Sequence, residues 1–198
     1  MRDPSIPLMS TTTQDKYSYS IRRTSESSVA VEVFKTGLMG RRKHILFVER
    51  YGGMLEYDFD NPERSRAELE FDADSIVCRD EWLSPEKRKE FLSTVKGEML
   101  KVSQYPKITF SSGKIRKLAQ HRFEVDGTLT IRGIAKPVTA EVAAIPVGKV
   151  RFELDITARF KFSDYGMERP SSMMGLVGTR DEMRLRCLLF PERKESDA

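Results

Sequence analysis

The sequence predicts an all-β protein, an antiparallel barrel or sandwich carrying one helix. Three stretches carry that prediction. From Arg122 to Arg132, Phe123, Val125, Gly127, Leu129 and Ile131 alternate with polar and charged residues. From Val150 to Phe162, Phe152, Leu154, Ile156, Ala158, Phe160 and Phe162 alternate with Arg151, Glu153, Asp155, Thr157, Arg159 and Lys161. Such alternation scatters around a helix but gives a strand one apolar face. The third stretch is the one convincing helix, Ser84 to about Val102. There Ser84 is placed as N-cap, Pro85 at the first helical position, and Glu86 in the first turn.

Taken in order, residues 1–16 read as a loose leader broken by Pro4 and Pro7. Tyr17 to Arg23 reads as a first strand, Ser28 to Lys35 as a second, and Ile45 to Arg50 as a third. Tyr51-Gly52-Gly53 reads as a breaker, after which Leu55, Tyr57 and Phe59 alternate with acidic residues. Ala67, Leu69, Phe71 and Ala73 repeat that pattern, and the two strands form a hairpin with Asp58, Asp60, Glu68, Glu70 and Asp72 outside. Inside the helix, Phe91, Leu92, Val95, Met99 and Leu100 make an apolar stripe. An extended run at Tyr105–Ser112 precedes the Phe123–Ile131 strand. Gly133–Pro137 forces a turn, with Pro137 at the head of the strand that holds Val138, Ala140 and Val142. A glycine- and proline-bearing loop spans residues 163–180, and Glu182 to Phe190 is the last strand. The reading gives nine or ten strands in one domain, residues 17–190, with a tail at 191–198.

The bulk numbers exclude several classes. The chain has 198 residues, 39% hydrophobic and 32% charged, with a net charge of +4, which fits a globular domain rather than a disordered one. Cys78 and Cys187 are too few for a disulfide framework and lack metal-site spacing. No apolar run is long enough to span a bilayer and no secretory signal is visible, so the expected location is cytoplasmic. No glycine-rich phosphate loop or metal-ligand cluster is legible, so no cofactor and no metal are expected. Aromatics interleaved with arginine on an outer face are lacking, so no nucleic-acid partner is expected.

Several segments together resemble the YceI-like family. They are Gly53-Met54-Leu55 with Asp60-Asn61-Pro62-Glu63, Ala73-Asp74-Ser75-Ile76, Arg79-Asp80, and Tyr105 through Ser112. Gly127 through Val138, Asp164-Tyr165-Gly166-Met167 and Leu176-Val177-Gly178 complete the set, so the resemblance covers roughly residues 28–190. It implies a lipocalin-like extended antiparallel β-barrel of about eight strands, with one helix inserted after the first half. It also implies an apolar isoprenoid or other long-chain lipid ligand, of polyisoprenoid or isoprenoid-quinone type. Many members of the family are periplasmic. Members often carry a histidine near the end of the early strand, where this sequence reads Phe34-Lys35-Thr36.

Candidate site residues follow. Phe110, Leu129, Ile131, Phe152, Leu154, Ile156 and Phe160 are candidates to line an apolar cavity. Pattern alone favours a solid core built from the same side chains; the resemblance reverses that preference. Met167, Met173, Met174 and Leu176, with Val177, give the 163–180 loop adaptable apolar side chains suited to a lid, or to a plug over the barrel end. Lys35, Arg41 and Arg42 are headgroup candidates, because arginine pairs bidentately with phosphate, although charge runs in turns are more often simply solvated. Membrane-surface attraction through so small a patch is weak. No catalytic residue is assigned, since His44 and His121 lie beside no motif and Cys187 falls on an apolar face. The leading function is non-catalytic binding, carriage or buffering of a long apolar lipid. Alternatives are an enzyme acting on such a lipid, which clustering of His44, Cys78 or His121 at a pocket would revive, and a surface-binding barrel for protein or nucleic acid. The oligomeric state stays open, a homodimer among the options.

Overall fold

The computed structural model describes residues 16–147, 151–170 and 177–194. The strands are β1 (Lys16–Arg22), β2 (Ser28–Gly37), β3 (Lys43–Val48), β4 (Tyr51–Asp58), β5 (Arg66–Asp72) and β6 (Ile76–Cys78). After α1 (Pro85–Thr94) come β7 (Lys107–Ala119), β8 (Arg122–Ile131), β9 (Ile134–Val147), β10 (Arg151–Lys161), β11 (Val177–Leu189) and β12 (Glu192–Arg193). They form one sheet of twelve strands in the order β12-β1-β4-β5-β7-β8-β9-β10-β11-β2-β3-β6. Every pairing is antiparallel. The sheet curls so that apolar faces from strands far apart in that order, such as Ile21 of β1 and Leu189 of β11, share one core. This is the expected antiparallel barrel, with its helix inserted after the first half.

The strand count exceeds the sequence reading by two or three. β6 has three residues and β12 has two, too short to show alternation. β12 lies in the stretch read as a tail and pairs with Tyr19 and Ser20 of β1.

Several boundaries differ for physical reasons. Gly52 and Gly53 do not break the chain but lie inside β4, paired with Arg22 and Ile21 on one side and Glu70 and Leu69 on the other. A Cβ on Gly53 would stand 2.2 Å from the Glu68 carbonyl oxygen, so close strand approach is what selects glycine there. Phe59 is exposed beyond the end of β4, and Asp58, expected outside, is buried. Its Oδ1 accepts from the Asn61 N–H at 2.7 Å while its own N–H donates to Ser65 Oγ, so it ties the β4–β5 loop together. Pro137 is the fourth residue of β9, not the first. It opposes Thr128 of β8 but lies past Ala140, where pairing with β10 has stopped, so no ladder bond on that side needs its missing N–H. β7 continues to Ala119, and β11 begins at Val177 rather than Glu182.

Ser84 caps α1 as expected, its hydroxyl accepting from the Lys87 N–H. The α-helix ends at Thr94, and Val95–Met99 form a π-helical turn closed by the Leu100 N–H to the Val95 carbonyl. No residue of α1 itself is fully buried; Val95, Met99 and Leu100 seat the segment against the barrel. Among the described residues, no helix is long and apolar enough to cross a membrane.

Candidate functional site

Among the described residues, three hollows run in sequence through the barrel. Cavity 1, about 120 Å³, is walled by Ile21, Leu55, Phe71, Phe110, Val125, Leu129, Leu154, Ile156, Ala158 and Leu189, among others. Cavity 2, about 80 Å³, is walled by Val33, Leu46, Ile76, Phe91, Met99, Ile131, Phe160, Phe162, Met167 and Met183, with Lys35, His44 and Thr179 as its polar members. A wider vestibule of about 380 Å³ lies beyond cavity 1 and shares Tyr57, Pro62, Phe123 and Ala144 with it. Its remaining lining includes Tyr19, Phe152, Lys117, Gln120, His121 and Arg151.

The strands show that these hollows are collinear. The inward face of β10 passes from Phe152 in the vestibule through Leu154, Ile156 and Ala158 in cavity 1 to Phe160 in cavity 2; Phe162, just beyond the strand, lines cavity 2 as well. On β7, β8 and β11, Phe110, Leu129 and Leu185 of cavity 1 stand two residues from Ile108, Ile131 and Met183 of cavity 2. Since i and i+2 are successive positions on one strand face, no inward layer separates the cavities. At about 3.3 Å per residue, Phe152 to Phe162 spans about 33 Å.

A polar cluster sits where β3 meets the short β6. Leu46 pairs with Cys78 and Val48 with Ile76, so the same register carries His44 toward Asp80. His44 Nδ1 lies 2.6 Å from Asp80 Oδ2, while Asp80 Oδ1 accepts from the Ile45 N–H at 3.1 Å. The imidazole stacks on Phe91 with centroids 4.1 Å apart, and Trp82 lies 4.9 Å away. Burial, opposed by the hydrogen bond to Asp80, pushes the His44 pKa below its usual range. A neutral ring that donates Nδ1–H to a carboxylate keeps a bare Nε2 lone pair. Burial likewise pulls the Lys35 ammonium toward its neutral form, with the Asp80 charge acting the other way. Burial pushes the Cys78 thiol up to about 11. Donor atoms of His44, Cys78 and Asp80 all lie within 4.8 Å of one another.

Comparisons with known proteins bear on this architecture. A family model described as "YceI-like domain" matches residues 19–188. The chain belongs to the YceI-like family. A UPF0312 protein of Pseudomonas putida is 24% identical over 127 residues, 62% of this chain and 62% of that protein. The protein YceI of Salmonella newport is 26% identical over 165 residues, 75% of this chain and 82% of that protein. The matches to the two Pseudomonas putida relatives and to that of Azotobacter vinelandii each span under two thirds of the relative's length, at 62%, 62% and 61%. Among solved structures, Burkholderia cenocepacia BcnA superposes with a TM-score of 0.68 at 20% identity, covering 83% of this chain and 95% of that one. A polyisoprenoid-binding domain from Saccharophagus degradans gives 0.61 at 12% identity, covering 88% and 98%. At these identities the structural likeness shows the YceI-like fold.

Within this YceI-like barrel the predicted residues separate by hollow. Phe110, Leu129, Leu154 and Ile156 line cavity 1; Ile131, Phe160 and Met167 line cavity 2; Phe152 lines the vestibule. Met167 is buried, so its loop packs inward at that point. Met173, Met174 and Leu176 lie outside the described residues. Of the headgroup candidates, Lys35 enters the wall of cavity 2. Arg41 is exposed, and Arg42 lies over the Trp82 ring at 5.0 Å, outside the lining. His121 and Cys187 stay apart from the polar cluster, in the vestibule and cavity 1.

The His44–Cys78–Asp80 cluster was missed by sequence reasoning, which saw no metal-ligand set. His44 stands 34 residues before Cys78 in the chain, and the two meet only through the register of a three-residue strand. The alternation of Cys78 with Asp80 about Arg79 was the one available signal.

Proposed function

We propose that the chain binds a long apolar lipid, of polyisoprenoid or isoprenoid-quinone type, inside the barrel and carries or buffers it without catalysis. The observation that supports this most is the uninterrupted inward face of β10, which lines all three hollows in turn. A globular fragment would need one wide cavity, whereas these hollows follow one another along the strands. The walls of cavities 1 and 2 are almost wholly apolar, so burial of a hydrocarbon chain there contributes roughly 25 cal/mol per Å². The polyisoprenoid-binding Saccharophagus domain with the same fold supports the ligand class. Polar groups stand at both ends of the path, Lys35 and His44 at one and Lys117, Gln120, His121 and Arg151 at the other.

Mass spectrometry of an organic extract, alongside the intact native mass, tests this reading. An equimolar isoprenoid or other long-chain species is the expected result. A protein that is empty as purified and also refuses added isoprenoids overturns it.

A second reading has one observation in its favour: His44, on the wall of cavity 2, gathers with Cys78 and Asp80. That arrangement suits an enzyme acting on the bound lipid, His44 serving as base and Asp80 orienting it. Chemical change of an added prenol during incubation, lost in H44Q, would select this reading over simple carriage.

A further inference from the structure

The geometry points to a transition-metal site at the β3–β6 edge, in which His44, Cys78 and Asp80 hold one zinc-class divalent ion.

The donor set is the first argument. Imidazole nitrogen, thiolate sulfur and carboxylate oxygen are the three protein donors that zinc accepts, whereas calcium and magnesium take oxygen alone. Placement is the second. His44, Cys78 and Asp80 are 3%, 4% and 7% exposed, and their donors already lie within 4.8 Å of one another. Donors around a tetrahedral zinc stand roughly 3–4 Å apart, so side-chain adjustment of about an ångström closes the set. The short contact of His44 Nδ1 with Asp80 Oδ2 places one hydrogen-bonding proton where the cation would bridge nitrogen and oxygen.

Charge is the third argument. A divalent cation with one thiolate and one carboxylate sums to zero, which suits a buried position where an uncompensated charge is costly. Binding releases one proton, from Cys78, while the His44 proton passes from Nδ1 to Nε2 if Nδ1 is the ligand. The surroundings fit as well. Asp80 Oδ1 is already held by the Ile45 N–H, the kind of outer hydrogen bond that orients a ligating carboxylate. Phe91 and Trp82 fix the imidazole plane. Among the nearby cations, Arg88 is turned to the carbonyl oxygens of Asp80 and Leu83. Three protein ligands leave a fourth position, and His44 borders cavity 2, so that position can take water or an oxygen of a bound molecule.

The full chain, stripped with a chelator and desalted, is titrated with cobalt(II), whose spectrum reports thiolate ligation directly. The expected result is saturation at one equivalent, with a near-ultraviolet thiolate-to-cobalt band and the strong visible bands of a tetrahedral ion, all displaced by zinc. C78S should abolish the thiolate band, and H44Q or D80N should weaken cobalt affinity by about tenfold or more. A wild-type titration without the thiolate band overturns the site, as does a band that survives C78S. The wild-type spectrum decides the matter even where a variant fails to fold. Lipid content does not enter this readout, so it stands or falls apart from the lipid-binding reading.

Discussion

Phe110 packs against Gly127 of the neighbouring strand: a Cβ on Gly127 would stand 2.5 Å from Phe110 Cε2 and Cζ, and 2.7 Å from the Ser111 carbonyl oxygen. The same ring is part of the wall of cavity 1. G127A must therefore move backbone or push Phe110 into the lipid path. The expected outcome is a loss of about 1–3 kcal/mol in chemical denaturation, the usual cost of overpacking, together with less lipid retained per protein.

Filling the path should separate folding from binding. Ala158 is buried in the wall of cavity 1, two residues before Phe160 of cavity 2. A158L adds apolar volume where space already exists, so the protein should fold cooperatively while the extracted lipid falls at least several-fold. I156E and F152E place a charge on the same face and should abolish retention. Full lipid content in both charged variants would show that β10 does not line the ligand.

The two thiols supply a pH prediction. Burial pushes Cys78 up to about 11 and Cys187 up to about 12, while an unfolded thiol ionises near its ordinary value of about 8.5. With folded pKa values raised, the stability they contribute is complete below the ordinary thiol range. It drains away as pH climbs toward about 11 and about 12. At pH 8 both should react slowly with iodoacetamide in native protein and completely in denaturant. Rapid labelling of either under native conditions would contradict its burial.

Asp58 is 1% exposed and holds the β4–β5 loop beside the vestibule. D58A removes the acceptor for the Asn61 N–H and should cost about 1–3 kcal/mol, read as a lower midpoint in denaturant. Exchange of the Asn61 amide should accelerate with it.

What the sequence made legible was whatever depends on local period. The alternations on β8 and β10 and the hydroxyl cap at Ser84 all follow from neighbours along the chain, and all are in the structure. What it hid depends on who sits across the sheet. Gly52-Gly53 looks like a turn signal until β1 and β5 are seen crowding it from both sides. Asp58 takes an outward place in the acidic alternation but, as the last residue of β4, is buried and bonds to Asn61 and Ser65. The cavity residues were legible as an inward set, but a filled and a hollow barrel share one alternation, so the division into three spaces appears only in three dimensions. His44 and Asp80 were legible as residues and not as a pair, since the strand that aligns them is three residues long.

The sheet ends on two very short strands, β12 and β6, of two and three residues. A long free edge offers unpaired amide groups to any passing chain and is how β-proteins polymerise. Here each margin is too brief to serve as a template, and the Ile45 amide just past the end of β6 is taken by the Asp80 carboxylate. Among the described residues, edge strands this short leave few free amides of their own for another chain to pair with. The aggregation guard on that margin rests on the same aspartate that anchors the polar cluster.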